Sequence, residues 1–289
     1  MLGTRGSDLA RAQTAMVEQA LRAAHPELHL EVQIIRTSGD ERAGVSPMGP
    51  VDRRAGRKGM FTAEIERVLL DGGIDVAVHS AKDLPSDPNA GAAIAAVLAR
   101  GAVGDVLVKK REPLRRIGTA SVRRQHQLRA KWPQVEVVDL RGNVPTRLRK
   151  LEEQEELDAI VLARAGLERL GIIPPHEVVE LSTDEFVPAG GQGIIALQIR
   201  RGDATAAELL SRIDDEATHL CLRAEREFLR LLQGDCDSPV GVHANGNWIW
   251  SQVFPADAAM KSARLPWKEE TPEEIAAMLF GSIDESNKS

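Results

Sequence analysis

Apolar and polar residues alternate along this chain with two different periods, and the period changes from one segment to the next. Over residues 9–21 the apolar positions recur at helical spacing, and Ser7 precedes them in the position of an N-cap. Over residues 28–34 every second residue is apolar, which predicts a strand. The exchange continues, with strands predicted at 74–80, 106–110, 117–119, 135–140, 157–163 and 247–254 and helices at 61–69, 121–132, 144–154, 165–171, 214–232 and 272–280.

Strands that alternate with helices are typical of α/β domains, so we predict α/β domains with mostly parallel sheets. The pattern is weaker beyond residue 236 and indicates a small further domain there. Ligands of such sheets bind beyond the carboxyl ends of the strands. Short polar segments lie at those ends, at 4–7, 80–83, 119–121 and 141–143.

One long segment has no periodicity. Residues 38–59 are rich in Gly, Pro and charged side chains. A loop of this length inside a compact domain is usually functional or disordered.

The composition argues against several classes of protein. A net charge of −6 and an aromatic content of 3% argue against a general nucleic-acid binder. There is no apolar run of about 18 residues and no signal-peptide pattern, so we expect no membrane span and a cytoplasmic location. Two cysteines cannot form a disulfide framework, and neither has a second Cys or His at zinc-ligand spacing, so we expect no metal site.

Arginines occupy an unusual position at the predicted strand ends. Arg123 and Arg124 follow Ser121 in the first turn of a helix, where the helix dipole favours anions. Together with the backbone N–H groups and the Ser121 hydroxyl they form a carboxylate or phosphate site. The alternative is that both arginines pair with nearby glutamates, and this feature alone does not decide between the two. The same design recurs around Arg5 and around the segment 141–147, which favours a polyanionic ligand.

The buried strand 74–80 leads directly to Lys82 and Asp83, and Pro85 fixes the chain's exit. Two adjacent opposite charges can form a simple surface pair. Beside an anion site, however, Asp83 can hold a positive charge that develops during a reaction. His79 is interpreted as a packed strand residue.

The two cysteines lie in different settings. Cys221 falls on the apolar stripe of the helix 214–232, where it is expected to be buried as a small hydrophobic residue. Cys236 lies in a Gly/Pro loop between Asp235 and Asp237. Two carboxylates raise the pKa of a neighbouring thiol, so a nucleophile that acts at every turnover is disfavoured there.

The chain resembles the porphobilinogen deaminase (hydroxymethylbilane synthase) family from residue 3 to about 244. Eight motifs carry the resemblance in order: GTRGSDLA (3–10), GRKGMF (56–61), DVAVHSAKDLP (75–85), GTASVRRQHQL (118–128), VDLRGNVPTRLRKL (138–151), LARAGLERLG (162–171), VPAGGQGIIALQ (187–198) and GDCDSPVGVHA (234–244).

The resemblance implies a transferase of tetrapyrrole, porphyrin and heme biosynthesis. Such an enzyme condenses four porphobilinogen molecules head to tail, with loss of ammonia, and releases hydroxymethylbilane by hydrolysis. A dipyrromethane cofactor is expected on Cys236 through a thioether, which makes this cysteine an anchor that reacts once. Porphobilinogen is the expected partner molecule, the chain is expected to be a monomer, and the segment 38–59 is expected to be a mobile lid.

The fold implied by the resemblance is α/β, with two periplasmic-binding-protein-like lobes and a small α+β C-terminal domain. The first lobe takes 1–93 and 187–207, the second takes 94–186, and the cofactor-carrying domain takes 208–289. Pro145 lies inside a family motif, and its effect depends on whether it occupies the first turn of a helix.

The resemblance also implies roles for individual residues. Asp83 is the expected catalytic residue, together with Lys82. The cofactor is expected to contact Cys236, Asp83, Lys82, Thr119, Ser121, Arg123, Arg124 and Asp40. The substrate is expected to contact Arg5, Ser7, Lys58, Phe61, Arg141, Arg147, Arg169 and Gln192.

Two other functions stay open on the sequence. A two-lobed solute-binding protein would also use carboxylate-binding arginines, although it would have no need of the GDC motif at 234–236. A relative of the enzyme that has lost its activity is the second alternative. Turnover of porphobilinogen separates both from an active deaminase.

Overall fold

The computed structural model describes residues 1–36, 62–87, 89–233, 238–256 and 258–285 of the chain. The strands of these residues are β1 (Leu2–Arg5), β2 (Val32–Ile35), β3 (Val76–Ser80), β4 (Ala92–Val97), β5 (Asp105–Lys109), β6 (Arg116–Gly118), β7 (Glu136–Val138), β8 (Ala159–Ala163), β9 (Glu177–Glu180), β10 (Ile195–Arg200), β11 (Val240–Ala244), β12 (Trp248–Val253) and β13 (Lys261–Pro266). The helices are α1 (Asp8–Ala24), α2 (Ala63–Leu70), α3 (Val122–Lys131), α4 (Val144–Glu153), α5 (Arg164–Leu170), α6 (Ala204–Ser211), α7 (Glu216–Leu231) and α8 (Pro272–Glu285).

Two five-stranded sheets form the centres of two lobes, and both have the same arrangement. The first lobe has the order β2-β1-β3-β10-β4, and the second has β7-β6-β8-β5-β9. In each sheet the first three strands of this order are parallel to one another. The fourth strand, β10 or β5, runs antiparallel to both of its neighbours. The prediction of mostly parallel sheets was therefore wrong for half of the strand pairs.

The antiparallel strands follow from how the chain crosses between the lobes. β5 is the first strand after the outgoing crossing (98–104), and β10 is the first after the return crossing (187–193). Each enters its new sheet from the side at which the parallel strands end, so it runs against them. The first sheet also includes β4, which pairs with β10 up to Val97.

The third domain combines two helices with an antiparallel sheet in the order β11-β12-β13. Its core joins α7 and α8 to this sheet, and Phe228, Val242, Ile249 and Leu279 are fully buried in it. The predicted α/β fold with a small α+β domain is confirmed.

The N-terminal caps of the helices agree with the sequence. The Ser7 hydroxyl accepts a hydrogen bond from the Ala10 N–H, and the Ser121 hydroxyl accepts one from the Arg124 N–H. Pro145 lies in the first turn of α4, which tolerates proline. The observed strand β2 is shorter than the strand predicted at 28–34. Residues 28–31 form an irregular segment instead, and Leu28 and Leu30 pack against the apolar core of the first lobe.

No helix in the described ranges has the length and apolar character that crossing a membrane would require.

Candidate active site

The site lies where the strand ends of both lobes face one another, and a short turn divides it. β3 ends at Ser80, and the chain then forms a single 3-10 turn, Ala81–Asp83. Ala81 is buried in the core of the first lobe, which fixes the turn. Lys82 and Asp83 consequently point to different cavities.

Asp83 borders a cavity of about 380 Å³ in the first lobe. Arg5, at the end of β1, and Ser7, the cap of α1, also line this cavity. Its inner wall holds Gln13 and Ser80, which hydrogen-bond to each other, and the buried His79. The cavity therefore brings together three residues that the sequence motifs assign to substrate or catalysis.

His79 is 4% exposed and hydrogen-bonds to Gln198. Burial lowers its pKa to about 4, so the imidazole is neutral at physiological pH. This agrees with its interpretation as a packed strand residue.

Lys82 borders a second cavity of about 510 Å³ that all three parts of the fold enclose. Ser121 and Arg123 reach it from the second lobe, and Arg226 and Ser238 from the third domain. Ser238 is the second residue after Cys236 in the sequence.

Arg123 and Arg124 share one buried partner, which is an aspartate and not a nearby glutamate as in the alternative interpretation. An Nη2 of Arg123 donates to Oδ2 of Asp105 at 2.7 Å, and an Nη2 of Arg124 donates to Oδ1 at 2.6 Å. Each guanidinium also donates to a backbone oxygen, from Arg123 to Val187 and from Arg124 to Val161. Among the described residues, the Nε atom of neither arginine has a hydrogen-bond partner.

Positive charge dominates the cleft between the cavities. Burial and then Arg124 lower the pKa of Lys82 to about 8, against the opposing effects of Asp83 and Asp105. Burial and then Arg124 lower the pKa of Arg147 to about 10, and Asp139 and then Asp83 oppose this shift. Lys82, Arg123, Arg124 and Arg147 thus carry four positive charges near the three carboxylates of Asp83, Asp105 and Asp139, and an anionic ligand would offset the excess.

The other predicted arginines lie away from these cavities. Arg141 is half-exposed and pairs with Asp139 at 2.7 Å, as in an ordinary surface pair. Arg169 donates to the Gly193 carbonyl at 2.6 Å and so holds the end of the return crossing.

Two predicted polar ligands are occupied by contacts within the protein. Gln192 is 1% exposed, and its amide donates to Asp105 and to the Val103 carbonyl. Thr119 is also buried, and its hydroxyl accepts from the Ser121 N–H. Their roles as ligands stay predictions.

A buried carboxylate on α7 was missed by the sequence analysis. Glu225 is 0% exposed and binds Arg100 of the outgoing crossing through both oxygens, at 2.6 and 3.1 Å. It also accepts from the Gly191 N–H of the return crossing and from the Ala244 N–H of β11. One side chain thereby joins both crossings to the third domain.

The helical pattern held a signal for this residue. Glu225 follows Cys221 by four positions, on the arc of α7 that is buried, and a charge there requires a buried partner. On the same helix Leu220 is 36% exposed, while Leu222, two positions further on, is buried. Arg226 and Asp105 were missed as well, although Asp105 begins an otherwise apolar strand.

Cys221 is buried as predicted, and burial raises its pKa to about 11. Four predicted site residues, Cys236, Asp40, Lys58 and Phe61, lie outside the described residues, as does the segment 38–59. In the ranges that are described, no cluster of His, Cys, Asp and Glu has the arrangement of a metal site.

Comparison with known proteins links this geometry to one family. Residues 1–208 match the family model "Porphobilinogen deaminase, dipyromethane cofactor binding domain", and residues 219–253 match "Porphobilinogen deaminase, C-terminal domain". Porphobilinogen deaminase of Syntrophomonas wolfei is 44% identical over 248 residues, which cover 83% of this chain and 78% of the relative. That of Roseiflexus sp. (strain RS-1) is 44% identical over 253 residues, covering 85% and 81%.

Solved structures of similar fold include an amino acid ABC transporter substrate-binding protein from Streptococcus pneumoniae bound to L-arginine. It has a TM-score of 0.40 and 12% identity, and the match covers 74% of this chain and 85% of that one. Similarity at this level carries no information about function.

Proposed function

The chain belongs to the porphobilinogen deaminase family, and from this premise we propose that it joins four porphobilinogen molecules into hydroxymethylbilane. The observation that supports the proposal best is the pair of cavities on either side of the turn Ala81–Asp83. One holds Arg5, Ser7 and Asp83, and the other holds Lys82, Ser121, Arg123 and Ser238.

The second cavity has the donor set that a dipyrromethane cofactor needs. Such a group carries carboxylate side chains, and carboxylates bind best to guanidinium and ammonium donors. The Nε atoms of Arg123 and Arg124 are buried without a partner in the described structure, which is costly unless a ligand satisfies them. Lys82, Ser121, Arg123 and Arg124 would hold the carboxylates. When bound, the cofactor supplies the pyrrole α-carbon to which the first porphobilinogen is joined.

Cys236 is the proposed anchor of the cofactor, through a thioether. The family model names a domain that binds this cofactor, and Ser238, two positions after Cys236 in the sequence, lines the second cavity. Cys221, the other cysteine, is enclosed in the core of the third domain and has a raised pKa, so it suits no covalent role.

Asp83 is the proposed catalytic residue. Its carboxylate borders the cavity of Arg5 and Ser7, where it can accept hydrogen bonds from pyrrole N–H groups and stabilise positive charge on the ring. Lys82 and Arg147 lie close enough to interact electrostatically with Asp83. Arg5 and Ser7 would orient the substrate's acetate and propionate groups.

The proposal includes the remaining site residues, the domain division, the oligomeric state and the location. Asp40, Lys58 and Phe61 would act from the segment 38–59 and its flank, with that segment as a lid. Arg141, Arg147, Arg169 and Gln192 would contact the growing chain or support residues that do. The division into 1–93 with 187–207, 94–186 and 208–289, the monomeric state and the cytoplasmic location complete it.

The decisive experiment compares the intact mass of the purified protein with that of Cys236→Ser, before and after incubation with porphobilinogen. We expect the mass of two linked pyrrole units on the parent protein only, together with turnover of porphobilinogen. A parent protein that stays bare and inactive after incubation would contradict the proposal and favour a binding protein or an inactive relative. An adduct on Cys236→Ser would contradict the choice of cysteine.

A further inference from the structure

One buried carboxylate organises the cationic side of the cleft. Asp105 is the first residue of β5 and is 1% exposed. Its Oδ2 accepts from Arg123, and its Oδ1 accepts from Arg124 and, at 2.9 Å, from Gln192. Donors from α3 and from the return crossing therefore meet on a single side chain.

The position of Asp105 in the sheet places this cluster at the edge of the cleft. β5 runs antiparallel to β8, and Asp105 pairs with Ala163, the last residue of β8. The carboxyl ends of the parallel strands lie at that edge, where ligands of such sheets bind. Asp158, a second buried aspartate of this lobe, precedes the first residue of β8 and so lies at the opposite edge.

The charges in the cluster do not cancel. Burial alone would raise the pKa of Asp105, but the charges of Arg123 and Arg124 outweigh this effect and hold the pKa well below its usual range. The carboxylate is therefore ionised and offsets one of the two guanidinium charges. The dipole of α3 disfavours cations at this end, and the two guanidiniums also repel each other. Asp105 accepts hydrogen bonds from both guanidiniums and so holds them next to each other despite this repulsion.

We propose that Asp105 is a positioning residue for cofactor carboxylates. It fixes the guanidiniums of Arg123 and Arg124 side by side, directs their unpartnered Nε edges outward from the shared ion pair, and leaves one net positive charge for an anionic ligand. This inference rests on the proposed function, because the ligand is a pyrrole carboxylate. In this role Asp105 orients the guanidiniums of Arg123 and Arg124. If Asp105 only reduced the positive charge of the site, it would weaken the binding of an anion.

The test compares the parent protein with Asp105→Asn, Asp105→Glu and the matched control Asp158→Asn. Asp158 is a suitable control because, like Asp105, it is a buried aspartate with an arginine partner. It accepts hydrogen bonds from the Arg111 side chain and from the Arg115 and Arg116 N–H groups. Each protein is incubated with porphobilinogen, and the fraction that carries the two-pyrrole adduct is followed by intact mass. Thermal unfolding by circular dichroism is recorded on the same samples.

We expect Asp105→Asn to load cofactor about tenfold to a hundredfold more slowly than the parent protein, since charge-assisted hydrogen bonds orient the pair. Asp158→Asn should lose comparable thermal stability and load at the parental rate. If Asp105→Asn loads cofactor at the parental rate or faster, the inference is overturned. Faster loading is expected if Asp105 only reduces the positive charge of the site, because the substitution restores that charge. Equal slowing in Asp158→Asn would also overturn it.

Asp105→Glu decides the matter if Asp105→Asn does not fold. It keeps the charge and displaces the carboxylate by one methylene, so it should fold, load more slowly than the parent and show a raised KM with a smaller change in kcat. A parental loading rate and KM would refute positioning. The proposed function fails separately, in the parent protein itself, if the parent acquires no adduct.

Discussion

The buried junction around Glu225 allows a quantitative prediction about stability. Glu225→Gln keeps the size of the side chain and removes its charge, which leaves Arg100 buried without a counter-charge. The side chains of Arg100 and Glu225 are only 11% and 0% exposed, so water cannot replace the lost interaction. Breaking a buried ion pair on one side costs about 3–5 kcal/mol.

The pKa of Glu225 gives a second estimate of how much stability Glu225→Gln removes. Burial alone would raise this pKa, but Arg100 and then His243 lower it to about 2 from the usual 4.5. A shift of this size corresponds to roughly 3 kcal/mol of stability. Because the pKa is lowered on folding, the stabilisation is present above about pH 4.5 and is lost as the pH falls toward 2. Glu225→Gln should abolish this part of the pH dependence.

Urea unfolding followed by tryptophan fluorescence measures the effect where it arises. Trp248 and Trp250 lie on β12, and the Trp250 ring contacts His243, which itself contacts Glu225. The matched control is Glu273→Gln, which breaks an exposed pair with Arg223 of the same helix α7 and should cost about 1 kcal/mol or less. If Glu225→Gln is no more destabilised than this control, the assignment of Glu225 as the link between the crossings and the third domain is refuted.

Three further predictions concern the site and the second cysteine. Asp83→Asn should load cofactor normally, while kcat falls about 10²–10³-fold because stabilisation of ring charge is lost; a steady-state assay with a near-parental kcat would exclude that role. The KM for porphobilinogen should rise as the pH increases through 8, where Lys82 loses its proton, and Lys82→Arg should flatten this dependence; an identical profile in both proteins would show that Lys82 is not the titrating group. Cys221→Ala should lose about 1 kcal/mol of stability and keep its adduct by intact mass, since Cys221 is a packed core residue; failure to load would show that the wrong cysteine was chosen.

The local features of the fold could be predicted because they depend on residues close together in the chain. Ser7 and Ser121 cap their helices through hydrogen bonds that span three residues. The limits of α7 follow from an apolar stripe within one helix. Such contacts have little loop-closure entropy to overcome, so the local sequence decides them.

The pairing of strands could not be predicted in the same way. β5 and β10 have the same kind of apolar pattern as the parallel strands, and periodicity does not reveal their direction. Their direction is set by the two crossings, which carry each strand into the other lobe's sheet. The prediction of mostly parallel sheets failed for this reason.

The sequence alone shows which charged side chains need a partner of opposite charge. The tertiary structure selects that partner. The placing of Arg123 and Arg124 at a helix start predicted a requirement for negative charge. In the structure Asp105, which lies 18 and 19 residues away in sequence, meets this requirement in part. Glu225 found Arg100 across 125 residues in the same way. A buried charge must be paired, but many residues along a chain can meet that need, and only the packed fold selects one.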